Sequence, residues 1–252
     1  MEERFEIRNS RFEIPAAGPV SAVQTLMVRF RIGGALRFLS HAETLRVFQR
    51  ACVRADIPVK YSAGFNPHPK LSLPLPRSVG VESDDEMLVV RLSDEPREAD
   101  GTYEARMRQA LQKVLPAGID VAGAELVGSG SFHARSADYL FCLRADRAAD
   151  LADRLQQRAQ AILASESWIV ERQLPGDSKA RRIDVRPFLE SIRPVERGVM
   201  VRCNVTAAGS IRMEEILQLL ELETEDLAAP IRRTAVEWRN NKAGLGPGRE
   251  DM

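Results

Sequence analysis

The order in which strand-like and helix-like segments follow one another is the feature that most constrains the fold of this chain. Apolar runs typical of strands flank segments in which apolar residues recur every three to four positions, as in amphipathic helices. The order strand–helix–strand–strand–helix–strand occurs twice, although no residue-level repeat is visible. This order predicts an α+β fold of two tandem ferredoxin-like (βαββαβ) units with antiparallel sheets, each burying two helices against one sheet face.

The first unit is predicted over residues 25–130. A strand over Thr25–Ile32 precedes a helix over Ser40–Ala55, where Ser40 and Glu43 have the spacing of a capping box. The later elements are two short extended pieces, a strand, a helix and a closing strand, at Val59–Tyr61, Leu71–Leu75, Met87–Leu92, Thr102–Leu115 and Val121–Val127.

The second unit is predicted over residues 135–239. Its elements in chain order are a strand, a helix, a strand, a pair of strands, a helix and a closing strand, at Tyr139–Leu143, Ala148–Ala164, Trp168–Arg172, Arg182–Val185 with Val199–Val205, Ser210–Leu220 and Thr234–Trp238. Residues 1–24 are predicted to form a partly disordered leader. Residues 240–252 are polar and glycine-rich, and are predicted to form a disordered tail.

Composition excludes several classes of protein. The 36 Lys and Arg balance 36 Asp and Glu, so the chain is not a globally basic nucleic-acid coat. No apolar run is long enough to span a membrane, and the charged N-terminus lacks the apolar core of a signal peptide. The three cysteines are far apart with no CxxC spacing. We therefore expect a cytoplasmic protein with no disulfide framework, no metal site and no cofactor.

The neutral total conceals a segregation of charge. Residues 37–77 hold seven Lys and Arg against two acids, residues 82–104 hold nine acids against two Arg, and residues 214–226 hold six acids and no base. On the first predicted helix, arginines at i, i+4 and i+8 form a stripe, which consists of Arg46, Arg50 and Arg54. Such a stripe suits contact with a phosphate backbone, and a solvated helix face is the simpler alternative.

Residues 60–70 form a loop with two aromatic rings, an amide, an imidazole, two lysines and two prolines. Pro67 and Pro69 restrict the backbone, so the side chains of Asn66 and His68 project from a stiff segment. Because aromatic rings stack on unpaired bases and lysines contact phosphates, the loop residues predicted to bind are Lys60, Tyr61, Phe65, Asn66, His68 and Lys70. The alternative is a structural loop in which Phe65 plugs the core and Asn66 caps a turn.

Candidate catalytic groups are few. The sequence contains no nucleophile elbow, P-loop, zinc-protease or dinucleotide-binding motif. His41 is the one catalytic candidate, because it stands at the first position of the capped helix, where the helix dipole favours its neutral form. His41 and His68 would face one another if the helix start and the loop converge, although two His without a third ligand make a poor zinc site.

Two pairs of charged residues receive structural interpretations. Asp84 and Asp85 are predicted to lie in a solvated hairpin turn. Asp184 and Arg186 stand two positions apart on one strand face, and we predict an internal ion pair or a contact at the rim of the binding surface. The second pair is therefore kept as a secondary candidate for binding.

Two stretches resemble a known family. Arg37–His41 and Tyr61–Lys70 are similar to the radical-SAM-linked protein family, a domain of unknown function found fused to, or encoded beside, radical SAM proteins. The chain departs from the family's usual Leu-Asp after the helix-start His, where it has Ala42 and Glu43. The resemblance covers roughly residues 25–240 and continues through Leu75–Pro76, Gly80–Ser83, Glu86 and Asp184–Pro187. The family has no settled activity, and the resemblance implies one partner, a radical SAM enzyme on another chain.

The residues and the resemblance together favour a non-catalytic RNA-binding accessory module that presents tRNA or rRNA to a partner modification enzyme. In this hypothesis the loop and the start of the first helix meet in one positively charged surface. The aromatic and polar groups of the loop bind a base or the partner. The phosphates are bound by Arg37, Arg46, Arg50, Arg54, Lys60 and Lys70.

Two alternatives remain open. A metal-independent endoribonuclease would use His41, Tyr61 and Lys70 as general acid–base groups, by analogy with the endonucleases of tandem ferredoxin-like fold that process CRISPR repeats. A protein–protein adaptor would instead dock a basic enzyme on the acidic segments 82–104 and 214–226, with no nucleic acid involved.

Overall fold

The computed structural model describes residues 24–94, 101–128, 130–173 and 180–242. Within these ranges the strands are β1 (Thr25–Ile32), β2 (Leu71–Ser72), β3 (Glu82–Arg91), β4 (Ile119–Val127), β5 (Gly130–Cys142), β6 (Ile169–Arg172), β7 (Arg181–Asp184), β8 (Leu189–Val195), β9 (Gly198–Asn204) and β10 (Arg232–Lys242). The α-helices are α1 (His41–Arg54), α2 (Thr102–Val114), α3 (Ala145–Ala164) and α4 (Met213–Leu220).

A single sheet joins most of these strands in the order β4-β1-β3-β10-β5-β9-β8, with β2 beside β3. Neighbouring strands run antiparallel except β3 and β10, which are parallel over two residue pairs. The order within the first half is β4-β1-β3-β2, and within the second half it is β10-β5-β9-β8. The predicted α+β class and its mostly antiparallel sheet are confirmed, whereas the tandem ferredoxin-like arrangement remains a prediction.

The capping box predicted at the start of α1 is present. The Ser40 hydroxyl accepts from the backbone N–H of Glu43 at 3.3 Å, and the Glu43 carboxylate accepts from the backbone N–H of Ser40 at 2.9 Å. These bonds satisfy two donors that the first turn of a helix otherwise leaves free. The hydrogen bonds from Ser40, first from its side chain and then from its backbone, lower the pKa of Glu43. The helix therefore begins at His41, as the sequence predicts.

Each half has its own apolar core. In the first half, helices α1 and α2 pack against the sheet, and the rings of Phe30 and Phe48 meet with centroids 4.6 Å apart. In the second half, α3 and α4 contribute Leu155, Ile162 and Ile216 to a larger core. A third, smaller cluster forms where β3 and β5 approach each other, and it contains Met87, Val89 and Phe132.

The strand pair predicted for the second half is wrong. The segment predicted at Arg182–Val185 forms β7, which pairs with β6 in a separate two-stranded sheet rather than with β9. The partner of β9 is β8, a strand not identified from the sequence because it contains Pro194 and alternates with charged residues. Proline is tolerated in β8 because that strand lies at the edge of the sheet.

The acidic turn predicted at Asp84 and Asp85 is also wrong, because both residues lie in β3. Asp85 pairs with Arg29 of β1 and accepts from the backbone N–H of Val236 at 2.9 Å. Asp84 pairs with Arg232 of β10 at 3.2 Å. The acidic residues of this strand therefore face cations on neighbouring strands, and their charge does not indicate a turn.

The predicted boundary between the units and the start of the predicted tail both fall within strands of the second half. Residues 131–134, which separate the two predicted units, lie within β5. Residues 240–242, predicted as the start of a tail, continue β10 and pair with the beginning of β5. The rest of the predicted tail, and the predicted leader except for Gln24, lie outside the described residues.

Buried charges connect the halves. Arg233 of β10 is 1 % exposed and donates to Oε1 of Glu86, a β3 residue that is 4 % exposed, at 2.7 Å. The same guanidinium donates to the Tyr139 hydroxyl of β5 at 3.1 Å and to the Pro76 carbonyl oxygen at 2.8 Å. A buried guanidinium is costly unless its donors are satisfied, and three separate parts of the chain satisfy them here.

A second buried arginine, Arg77, fixes the connection between β1 and α1. Its guanidinium donates to the carbonyl oxygens of Arg37 at 2.8 Å, Leu39 at 3.1 Å and Leu36 at 3.4 Å. A guanidinium carries five donors in a planar fork, so one side chain can hold several carbonyls of a tight connection at once. Arg77 thereby sets where α1 begins relative to β3.

Removing the buried counter-charge tests this junction. Glu86→Ala is expected to lower the free energy of unfolding by about 3–5 kcal/mol, because it leaves Arg233 buried without its carboxylate. Urea denaturation measures the change. The matched control is Arg154→Ala, which removes a largely exposed pair with Glu221 and should cost less than about 1 kcal/mol. A loss no larger than that of the control would contradict the structural role of the pair.

Candidate functional site

The base of the 60–70 loop is closed by backbone hydrogen bonds. Lys70 donates its N–H to the Lys60 carbonyl oxygen at 2.7 Å, and Ser62 donates its N–H to the His68 carbonyl oxygen at 2.9 Å. The Ser62 hydroxyl in turn accepts from the His68 N–H at 2.9 Å. Gly64 supplies a φ of 120°, which other residues rarely adopt. The loop is therefore braced at its base, and residues 63–67 form its tip.

Phe65 lies at this tip with its ring in solvent. Its relative exposure is 111 %, so the ring has no packing partner in the described chain. The alternative in which Phe65 plugs the core is therefore wrong. Asn66 and His68 are exposed as well, and within the described residues the Asn66 side chain makes no hydrogen bond that would cap a turn.

The arginine stripe on α1 is exposed, and within it Arg46 interacts electrostatically with Glu43, one turn earlier on the same helix. Arg46, Arg50 and Arg54 all face solvent, and no described carboxylate lies within ion-pair distance of any of them. Arg54 donates to the carbonyl oxygen of Val114, the last residue of α2, at 2.9 Å. Lys60 and Lys70 are exposed and equally unpaired over the same ranges.

A groove of about 680 Å³ brings part of the stripe and part of the loop together. It lies between the later turns of α1, the base of the loop and the end of α2. Its lining residues are Val47, Gln49, Arg50, Val53, Arg54, Tyr61, Pro69, Val114 and Pro116. The aromatic ring of Tyr61 and two of the stripe arginines therefore share one surface, as the RNA-binding hypothesis requires of these residues.

His41 lies apart from this groove. It is half-buried and lines a small crevice with Thr44, Arg77 and Glu86, and among described residues this crevice shares no lining residue with the groove. Because α1 has 14 residues, the His41 end lies about 20 Å along the axis from the Arg54 end at the usual helical rise. The structure places Tyr61 beside the later turns of α1 rather than beside its start, and it does not bring His41 into the groove with Tyr61.

Arg37 lies at a different groove, of about 440 Å³, between the halves. Its guanidinium stacks 4.2 Å from the centroid of the Phe38 ring and donates to the Gly34 carbonyl oxygen at 2.8 Å. Arg37, one of the six residues predicted to bind phosphates, is therefore separated from the groove that holds Arg50 and Arg54.

The side chains of the two secondary candidates bind mainly backbone atoms, and the Arg186 charge adds only a smaller contribution to the lowered pKa of Asp184. The Asp184 carboxylate accepts from the N–H groups of Trp168 at 2.8 Å and Arg186 at 3.1 Å, and the Trp168 bond is the main cause of its lowered pKa. The Arg186 guanidinium donates to the carbonyl oxygens of Leu163, Ser165 and Leu189 at 2.8, 3.1 and 2.8 Å. Both side chains therefore fix the turn after α3.

Several acids of the two acidic segments form ion pairs within the described chain. In the described part of the first segment, β3 acids pair with Arg29, Arg232 and Arg233. In the second segment the ion pairs are Glu215 with Arg172, Glu221 with Arg154 and Arg158, and Asp226 with Arg147. Much of the predicted acidic surface is thus engaged internally.

Sequence reasoning missed the apolar part of the groove. Val53 is 63 % exposed, whereas Phe48, Ala51 and Cys52 of the same helix are buried. Val114 and Pro116 come from the end of α2, far from the loop in sequence. The signal for this groove that the sequence offered was Val53, an apolar residue that lies beside Arg50 and Arg54 and off the buried face of α1.

The described residues contain neither a candidate metal site nor a membrane-spanning helix. Among the described residues, no three His, Cys, Asp or Glu side chains are grouped so that they could hold a metal ion. Every described helix is too short or too polar to cross a bilayer.

The comparisons place the chain in a family. The chain is an α+β protein with a basic groove and a braced aromatic loop. The model of a family described as an uncharacterized protein conserved in bacteria (DUF2344) matches residues 25–223, and the chain belongs to that family. The resemblance to a domain of unknown function is thereby confirmed, and its radical SAM link remains a prediction.

Comparisons with individual proteins add little. No curated protein matches the chain in sequence. One similar solved structure is the crystal structure of a Cbf5-Nop10-Gar1 complex, with 11 % identity and a TM-score of 0.38 over 84 % of this chain and 48 % of that chain, about half its length. A likeness this low carries no argument about function.

The hydroxyl that braces the loop can be tested. Ser62→Ala removes the acceptor for the His68 N–H and is expected to speed chymotrypsin cleavage after Phe65 severalfold, while global stability changes by less than about 1 kcal/mol. Ser72→Ala, on exposed β2, is the matched control. Equal cleavage rates for the two variants would show that the bond does not hold the loop.

Proposed function

We propose that this protein is an RNA-binding accessory module that holds an unpaired stretch of structured RNA, such as tRNA or rRNA, for a partner modification enzyme. The observation that carries the proposal is the fully exposed Phe65 ring on a braced loop between Lys60 and Lys70. An exposed aromatic ring contributes nothing to the folded core, and a stiff loop loses little entropy when it binds. Stacking of a base on such a ring contributes about 1–3 kcal/mol.

The unpaired cations support an anionic ligand. Arg50 on α1 and Lys60 and Lys70 on the loop form no ion pair with a described carboxylate. Arg46 forms none either, although the charge of Glu43 one turn away partly offsets it. Contact with phosphates releases counterions, which makes such binding favourable and dependent on salt. Rings for bases and cations for phosphates are the two groups that single-stranded RNA requires.

The partner in this proposal is a radical SAM enzyme, which the resemblance at Arg37–His41 and Tyr61–Lys70 supports. The chemistry is assigned to that partner. Burial raises the pKa of the Cys52 and Cys203 thiols to about 12, so neither is a reactive thiolate in the folded chain.

We also propose that the two halves are tandem ferredoxin-like units. The neighbour orders β4-β1-β3-β2 and β10-β5-β9-β8 support this, since each puts the first and third strands of a βαββαβ segment at the centre. Strands β6 and β7 would then be an insertion in the second unit.

Neither alternative function has an observation in its favour. The endoribonuclease requires His41 beside Tyr61 and Lys70, and His41 lines a different crevice from Tyr61. The adaptor requires free acidic segments, and much of their charge forms internal ion pairs.

Charge removal tests the proposal directly. The triple variant Arg46→Ala, Arg50→Ala, Arg54→Ala should bind unmodified tRNA roughly tenfold more weakly at moderate salt, and the slope of log affinity against log salt should fall by about 2. The measurement is fluorescence anisotropy across a salt series.

The matched control removes the same charge from exposed arginines of the second half: Arg193→Ala, Arg197→Ala, Arg239→Ala. The control should retain most of the affinity of the parent. Equal losses in the two triple variants, or no binding by the parent, would remove the proposal.

The loop ring has its own test. Phe65→Ala should weaken binding of a decauridine RNA by about 5- to 100-fold, the range of one lost stacking interaction, whereas Phe65→Trp should retain it. Both variants should unfold at the parent's temperature, because the ring is exposed. Unchanged affinity for Phe65→Ala would show that the ring does not contact RNA.

A further inference from the structure

We propose that the groove beside the later turns of α1 binds one unpaired nucleotide of the RNA, with its base against Tyr61 and Val53 and its phosphate on Arg50 and Arg54. This inference rests on the proposed function, and it names the nucleotide site within the RNA-binding surface.

The dimensions of the groove suit a nucleotide. Its volume is about 680 Å³, within the range of about 300–1,000 Å³ typical of small-molecule sites. Three separate segments form its walls, namely α1, the base of the loop and the end of α2. A site built from three packed segments is largely formed before the ligand arrives, which lowers the cost of binding.

The apolar walls suit the faces of a base. Val53 is 63 % exposed and Tyr61 is 47 % exposed, and both line the groove with Val47, Val114 and Pro116. Covering exposed apolar surface stabilises a complex by about 25 cal/mol per Å². A planar heterocycle covers such walls and also stacks on the Tyr61 ring.

The polar groups of the groove select an anionic ligand. Among the described residues that line it there is no Asp or Glu, and both charged side chains are arginines. The Arg54 guanidinium is held by its bond to the Val114 carbonyl oxygen at 2.9 Å, so its position is set without the ligand. Arginine binds phosphate with paired N–H groups, and the Gln49 amide offers a donor and an acceptor to the edge of a base.

The groove is continuous with the loop that carries Phe65. Tyr61 and Pro69 line the groove and also pair with each other across the base of the loop. One strand of RNA can therefore place a base in the groove and a neighbouring base on the Phe65 ring. This continuity favours a nucleotide of the bound RNA over a free nucleotide as the natural ligand.

The test uses the full chain with labelled valine methyl groups and two probes, uridine 5′-monophosphate and ribose 5-phosphate. The nucleotide should shift the methyl resonances of Val47, Val53 and Val114, whereas the sugar phosphate should shift them much less because it lacks the base. Equal shifts with both probes, or none with the nucleotide, would overturn the nucleotide site.

Variants complete the experiment. Tyr61→Ala or Arg50→Ala should weaken binding of the nucleotide at least tenfold, and Tyr61→Phe should retain it. Phe38→Ala, which removes an exposed ring outside the groove, is the control and should bind as the parent does. If Tyr61→Ala does not fold, Arg50→Ala on the solvent face of α1 gives the answer alone.

Binding of a decauridine RNA distinguishes failure of the RNA-binding function from failure of the nucleotide site in the groove. If it binds and shifts the three valine methyl groups, both the RNA-binding function and the nucleotide site are supported. If it binds through the arginine stripe without shifting these methyl groups, the groove is not the nucleotide site and the RNA-binding function stands. If it does not bind, both are overturned.

Discussion

The contact between Arg233 and Glu86 is the constraint on which the rest of the architecture depends. These two buried charges lie on β10 and β3, the strands through which the two halves join into one sheet in the described chain, and that pairing is only two residue pairs long. Because a buried charge without its partner costs several kcal/mol, the halves are held in one register. The buried Arg77 binds the carbonyl oxygens that precede α1 and so fixes the start of that helix. The helix that carries the arginine stripe is therefore held by a buried charge at one end and by its apolar face along its length.

The candidate surface combines a loop that is braced at its base with an aromatic ring and arginines that do not contribute to the folded core. Hydrogen bonds at the base of the loop hold Phe65 away from the body of the protein, and beside it α1 presents Arg50 and Arg54, which form no ion pair with a described carboxylate. Elsewhere in the described chain many arginines are engaged, for example Arg172 with Glu215 and Arg202 with Glu237. The contrast between engaged and unengaged cations, rather than the net charge of zero, distinguishes this surface.

The sequence predicted those features that depend on local chemistry. The capping box at Ser40 and the exposed stripe followed from spacing within one helix, whereas the stiffness expected from the loop's prolines stays a prediction. Features that depend on pairing between distant segments could not be predicted. Strand β8 was not identified because it contains Pro194. The acids of β3 suggested a turn because their partners Arg29 and Arg232 lie far away in sequence. The groove was missed for the same reason, since Val53 and Val114 meet only after α1 and α2 pack together.

The position of β8 at one end of the sheet has a further consequence for how copies of this protein behave together. An unpaired strand margin invites hydrogen bonding by another polypeptide, which leads to fibres or swapped dimers. Strand β8 carries Glu190, Arg193 and Pro194 along that margin, and charged side chains and proline are the devices that oppose such growth. We expect the same residues that concealed this strand in the sequence to oppose self-association at high concentration.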